Sequence, residues 1–372
     1  MKKVKIRLVN QKDGSAWDEY VMQHPRGTVF HLTGWKDVVE SSFGHKPYYL
    51  IAVNRSKLEA QSTNENCIKA DELFDPTNST NSSNQIVGIL PIFRIKSVMF
   101  GDYLVSVPFA ELGGVLADDK TLEKILLQRA VEIADELNCD YFELRNREAI
   151  EGLKTKDLYY NFKGEIFSEL DENLKAIPRK ARRMVRQGDK FGLIPEFGNH
   201  NFNEFYNILA KSYHRLGTPI FSKRLFKQFL KIFGEKSAIL LIRNKEKIPV
   251  AGVLSFFFKD QIIPYYAGSD FVYRKLAPND FMFWQLIKYG CENDFKVFDF
   301  GRSKADTGSF HFKRHWGFEP TRLAYQYYLI RSDELPNLSP ANPKYQKKIE
   351  MWRKLPISVT KIIGPFISKY LA

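Results

Sequence analysis

The sequence predicts an α/β chain of the α+β kind, made of two tandem units in which mixed sheets are flanked by helices. Three observations predict this. The order strand, strand, helix, strand occurs twice along the chain. Matching positions recur at nearly the same offset, Gly88 with Gly252 and Phe142 with Phe298, as a duplicated unit with small insertions requires. A chain of 372 residues that is 44% hydrophobic is also long and apolar enough to bury more than one core.

In the first unit, expected over 1–165, residues 86–93 and 104–107 read as strands, being short apolar runs bounded by turn residues. Residues 122–137 read as a helix. Leu122, Leu126, Arg129, Ile133 and Leu137 recur at helical spacing with Ile125 and Ala130 beside them, and Asp118 and Asp119 favour the positive end. Residues 141–144 close the unit as a strand. The stretch 54–85, rich in Asn, Ser, Thr and Glu, reads as a flexible insertion in a hairpin, either a solvated loop or a lid.

The second unit, expected over 166–335, opens on a basic run at 174–191. Ile177, Ala181, Met184 and Val185 supply an inner helical face, while Arg179, Arg182, Arg183 and Arg186 cluster on the other side. A solvated face usually carries both signs, so one-sided charge points to a polyanion. A helix over 202–213 ends in a turn fixed by Gly217 and Pro219. Strands at 250–258 and 262–266 lead to a helix over 281–291, N-capped by Asn279 after Pro278, with Phe281, Trp284 and Ile287 inward. Residues 297–300 form the closing strand. The tail, 336–372, carries Leu355, Val359, Ile362, Phe366 and Tyr370 at helical spacing with Lys354, Lys361 and Lys369 nearby, interrupted by Gly364-Pro365. It suits docking on the protein's own surface or shallow contact with a membrane.

The net charge of +13 indicates an anionic partner, whether RNA, a nucleotide or lipid diphosphate, or an anionic membrane. Cys67, Cys139 and Cys291 form neither a disulfide framework nor a thiolate metal site, which fits a reducing cytoplasm. The start lacks a secretory signal, and no run approaches the roughly 18 apolar residues that span a bilayer. His311 and His315 stand four apart without a third ligand, so no metal is expected. There is no helix-turn-helix or zinc-finger pattern, so DNA is not an expected partner.

Chemistry concentrates at 297–318, VFDFGRSKADTGSFHFKRHWGF. Gly301 frees the backbone to turn, so Arg302, Ser303 and Lys304 leave the sheet together, and Arg's planar fork with Lys's point charge suits an anionic or acyl-bearing ligand. Asp306, Thr307 and Gly308 turn the chain before Phe312, Lys313 and Trp316.

These residues resemble the C-terminal signature of FemAB-like proteins, envelope acyltransferases built from two acetyltransferase-type (GNAT-like) halves: FDFGRSK, then TG, FK and WGFEP. The first half is similar too, in Phe30-His31 with Trp35, Phe43-Gly44-His45-Lys46-Pro47-Tyr48, Gly88-Ile89-Leu90-Pro91, and Pro108-Phe109 with Gly113-Gly114. The match is closest to the branch found beside exopolysaccharide and exosortase-type export systems. The resemblance implies acyl transfer, with aminoacyl-tRNA or another acyl donor, to an amine of a nucleotide- or lipid-linked peptidoglycan or exopolysaccharide precursor. It implies a cytoplasmic protein, at most peripheral at the inner face of the membrane, and no cofactor. It places Phe312 and Lys313 near the donor ester, Lys313 facing the developing oxyanion; Glu111 and Asp299 are the candidate bases. Arg302, Ser303, Lys304, Thr307, Gly308, Trp316 and Trp35 are the further substrate-binding candidates. His214, Arg215 and Thr218, in the segment resembling the family's RLGTP, belong to the acceptor side, and Arg182 and Arg186 to the polyanion face. The segment 273–280, YRKLAPND, has no glycine to cradle a pyrophosphate. Two alternatives stay open: an acyl-CoA- or carrier-dependent acyltransferase, and a non-catalytic adaptor for polysaccharide precursors.

Overall fold

The computed structural model describes residues 4–54, 85–336 and 343–371. The insertion read at about 54–85 lies almost wholly outside the described residues, as does Cys67.

Among the described residues there are three sheets. One runs in the order Val4–Leu8, Leu50–Asn54, Ile86–Leu90, Leu116–Ala117. The second runs Lys46–Pro47, Phe93–Ser97, Gly101–Val105, Tyr141–Asn146, Ala324–Leu329, Lys154–Lys156. The third has seven strands: Ile194–Phe197, Ser237–Arg243, Pro249–Phe258, Gln261–Ser269, Val297–Lys304, Tyr159–Glu165, Pro320–Arg322. The strand expected at 86–93 is two strands in different sheets. Pro91 lacks the N–H that a continuous ladder needs.

In each half a helix crosses between two parallel strands. Lys120–Glu136 joins Gly101–Val105 to Tyr141–Asn146, and Pro278–Glu292 joins Gln261–Ser269 to Val297–Lys304. Asp119 caps the first of these, accepting from the backbone N–H groups of Thr121 and Leu122. Ile125 is exposed and Leu127 is buried in its place, because the stripe facing the sheet lies one position further round. The second helix starts with Pro278 at its first position, and Ala277 takes the capping place with a φ of 56°. A missing N–H costs nothing there, so Asn279 is inside the helix.

The sheets exchange strands across the boundary read at 165/166. Tyr159–Glu165 pairs antiparallel with Val297–Lys304, and Ala324–Leu329 pairs antiparallel with Tyr141–Asn146. Each closing strand is thus flanked by a strand from the other side of that boundary. An aromatic core also joins the halves: Trp35 of the helix Thr33–Phe43 lies against Phe229, Phe233, Phe256 and Tyr265. Such contacts are each worth about 0.5–1.5 kcal/mol beyond burial, so the seam between halves is held rigidly.

Candidate active site

The parallel strands Gln261–Ser269 and Val297–Lys304 pair only at Gln261 with Val297 and Ile262 with Phe298. Beyond those pairs, residues 107–112 of the first half meet both strands. The Tyr265 hydroxyl donates to the Phe109 carbonyl. The Glu111 carboxylate lies against Gly301, where an added Cβ would sit 2.6 Å from Oε1 and 2.9 Å from Oε2. Gly301 has a φ of +74°, so glycine answers both the backbone conformation and the space. Val107 and Phe109 also take positive φ, 54° and 59°, which bulky residues avoid unless their surroundings impose it. Those surroundings include Arg145, buried, which is held by Glu143 Oε1 at 2.7 Å and donates to the Ala110 carbonyl at 2.7 Å.

Lys313 comes from the helix Gly308–His315, whose cap is Thr307. The helix turns this lysine inward. Its Nζ donates to the Gly301 carbonyl at 2.8 Å and the Arg302 carbonyl at 3.0 Å, with the Phe162 and Phe300 rings 5.5 and 5.7 Å away. An ammonium has three donors, so one N–H remains without a protein acceptor among the described residues. Burial lowers its pKa to about 8, opposed by the negative charges of Glu111 and Asp299. Glu111 shifts the other way: burial raises it, against the nearby charge of Lys313 and a hydrogen bond from the Arg302 backbone N–H. Asp299 accepts from the Gly301 N–H at 3.1 Å and pairs with Lys163 at 3.3 Å.

The Arg302 guanidinium stacks on Tyr159 at 4.5 Å and donates to the Tyr325 hydroxyl at 2.9 Å, which in turn donates to the Glu111 carbonyl at 2.5 Å. Among the described residues, Ser303 Oγ is buried with no partner, as is Asn161 Oδ1 on the neighbouring strand. Glu111, Arg302, Tyr159 and Tyr265 remain partly open to solvent. The arrangement joins a carboxylate whose proton affinity is raised by burial to a desolvated cation with a spare donor.

Lys313, Glu111, Asp299, Arg302 and Ser303 therefore come together, and Lys304 is partly buried at the strand end. Other candidates lie elsewhere. Trp316 is in the core, its indole donating to Asp280 at 3.0 Å, and Phe312 packs against Phe283 and Phe300. Trp35, read as substrate-binding, is fully buried and donates to the Pro108 carbonyl. Thr307 and Gly308 serve the start of the helix. His214 bonds the Leu355 carbonyl, Arg215 stacks on Phe271, and Thr218 donates to the Tyr213 carbonyl. None of those three touches the Lys313 cluster. His311 and His315 are exposed, and no three metal-ligating side chains come together among the described residues. Sequence reasoning missed Arg145, Tyr159, Tyr265 and Tyr325. The duplicated plan carried a hint of Arg145, since it stands on the first unit's counterpart of the Lys313-bearing half's closing strand.

The acetyltransferase (GNAT) domain family Acetyltransf_6 matches residues 173–314, a span that includes Lys313. Among solved structures, FemX superposes with a TM-score of 0.61 at 15% identity, covering 93% of this chain and 100% of that one. A tandem GNAT protein from the clavulanic acid biosynthesis pathway gives 0.53 at 11% identity, over 89% of this chain and 100% of that one. No curated protein matches the sequence. Residues 173–314 are thus similar to the acetyltransferase (GNAT) domain, and the chain as a whole has the tandem GNAT-like fold that it shares with FemX.

Proposed function

We propose that this protein is an N-acyltransferase that moves an aminoacyl group from aminoacyl-tRNA to an amine on a nucleotide- or lipid-linked precursor of the cell envelope, peptidoglycan or exopolysaccharide. The observation that carries the reading is the meeting of Glu111 and Lys313 around Gly301. The acceptor amine attacks the ester carbonyl while Glu111 takes its proton, and the free N–H of Lys313 faces the oxyanion that develops. Collapse of the tetrahedral intermediate breaks the ester C–O bond, and the proton held by Glu111 passes to the departing ribose oxygen. Arg302 on its tyrosine shelf orients an anionic group of a substrate. Charged tRNA places the reaction in the cytoplasm.

The basic helix Arg179–Lys190 supports a polyanionic donor. Arg179, Lys180, Arg183, Arg186 and Lys190 are exposed, Arg182 is half-buried, and none makes an ion pair among the described residues. The face continues onto Arg274 and Lys275 through a hydrogen bond from Gln187 to the Lys275 carbonyl. An acyl-CoA donor is less well served. The helix Pro278–Glu292 begins with a proline and carries its own buried carboxylate, Asp280, in its first turn, where a pyrophosphate would need donors.

Arg182→Glu/Arg186→Glu should weaken binding of charged tRNA at least about tenfold and flatten its salt dependence. Unchanged affinity and slope would return the helix to a solvated face. A second expectation concerns pH. The single-turnover rate should rise with pH as Glu111 ionises, at a pKa above the ordinary carboxylate range, and fall near pH 8 as Lys313 loses its proton. Lys313→Arg should move the alkaline limb upward; a limb that stays at the same pH belongs to another group.

A further inference from the structure

We propose that the C-terminal helix Ile357–Ser368 docks this protein on an anionic lipid surface; the inference stands independently of the acyl-transfer reading. The helix is amphipathic in the inverted sense. Its small and polar residues Thr360, Gly364 and Ser368 face the protein, while Ile362 and Phe366 are each 68% exposed and Ile363 is also exposed. Close packing accounts for the small inner residues, and Ile357 packs on the core, but folding gives no reason to leave Ile362, Ile363 and Phe366 outside, since burying apolar area stabilises by roughly 25 cal/mol per Å².

The inner face is nonetheless firmly seated. A Cβ on Gly364 would meet the Ile220 backbone N and O at 3.0 Å, and Ser368 Oγ donates to the Ile220 carbonyl at 3.1 Å. The His45 ring bonds the Lys369 carbonyl at 2.7 Å and the Tyr103 hydroxyl donates to the Tyr370 carbonyl, so the helix is fixed to both halves. Its apolar outer face is therefore held in place and not left to fluctuate.

The exposed apolar surface extends beyond this helix. Met351 and Leu355 of the preceding segment are exposed, as are Val98 and Met99 at the tip of the hairpin formed by Phe93–Ser97 and Gly101–Val105. Between hairpin and tail lies an apolar groove of about 190 Å³ lined by Met99, Phe100, Ile349, Trp352, Ile367 and Leu371 among others. The Trp352 indole N–H is buried there without an acceptor among the described residues. An amphiphile supplies both an apolar chain for the groove and oxygen acceptors near its head.

Charge selects the occupant. From 343 to 371 the chain has Lys344, Lys347, Lys348, Arg353, Lys354, Lys361 and Lys369 against the single acid Glu350. Among the described residues none of Lys347, Lys348, Arg353, Lys354, Lys361 and Lys369 is in an ion pair. A second copy of this chain would bring like charges together across a two-fold axis, whereas anionic headgroups complement them at about 1 kcal/mol per basic residue.

The test is co-sedimentation with vesicles of phosphatidylglycerol and phosphatidylcholine, and with phosphatidylcholine alone. Wild type should bind the mixed vesicles, lose them at high salt, and bind neutral vesicles at least about tenfold more weakly. Ile362→Asn/Phe366→Asn alters only exposed positions, so its melting temperature should stay at the wild-type value while vesicle affinity falls about tenfold or more. Equal binding to neutral vesicles, unchanged binding of the double variant, or a self-association abolished by the variant without any vesicle binding would each overturn the proposal.

Discussion

Lys313→Met should lower the single-turnover rate of acyl transfer about 100-fold or more, with little change in donor affinity. A preorganised cation in a water-poor site contributes roughly 3–4 kcal/mol to a developing oxyanion, and each 1.4 kcal/mol is about a factor of ten in rate. Methionine is unbranched and of similar length, so it can lie between the Phe162 and Phe300 rings where the lysine stem lies now. It cannot donate to the Gly301 and Arg302 carbonyls, so circular dichroism and thermal melting must accompany the kinetics. Lys313→Arg separates the two effects, because it retains charge and donors and should keep the fold while recovering part of the rate.

Glu111→Gln should reduce turnover by about 10²–10³, the range that loss of a general base produces, and should abolish the acidic limb of the pH profile. Glutamine has the same outline and still accepts the Arg302 backbone N–H, so packing against Gly301 survives. Because Glu111 and Lys313 bias each other's protonation, the double variant should lose far less than the product of the single losses. Fully multiplicative losses would mean that the two groups act in separate steps.

Much of the scaffold was legible from periodicity alone. The apolar spacing in Lys120–Glu136 and the Phe281, Trp284 and Ile287 face of Pro278–Glu292 are both seen in the fold, since each helix must bury one stripe against a sheet. That Lys313 and Arg302 come together was legible because a glycine-broken strand end followed by cations is an unusual local pattern. The residues around them were not. Tyr159 and Tyr325 reach the site only through the exchanged strands Tyr159–Glu165 and Ala324–Leu329, a pairing between distant segments that leaves no local trace. Trp35 and Trp316, read as substrate-binding, lie in the core, because an aromatic beside a cation reads equally well as a stacking platform or as core, and only the packing of neighbouring elements decides. The tail carried its apolar stripe openly, yet periodicity says nothing about which face meets the protein. There Gly364 faces inward because the Ile220 backbone leaves little room for a Cβ, and Ser368 because its hydroxyl donates to the Ile220 carbonyl.

The most direct test is rapid-mixing transfer of a labelled aminoacyl group from charged tRNA to amine-bearing nucleotide- or lipid-linked envelope precursors, comparing wild type with Lys313→Met at saturating donor and acceptor. The account predicts transfer by the wild type and a rate about 100-fold or more lower in the variant, with donor binding preserved. Equal rates in the two proteins, or no transfer by wild type from charged tRNA alongside transfer from an acyl-CoA, would contradict it.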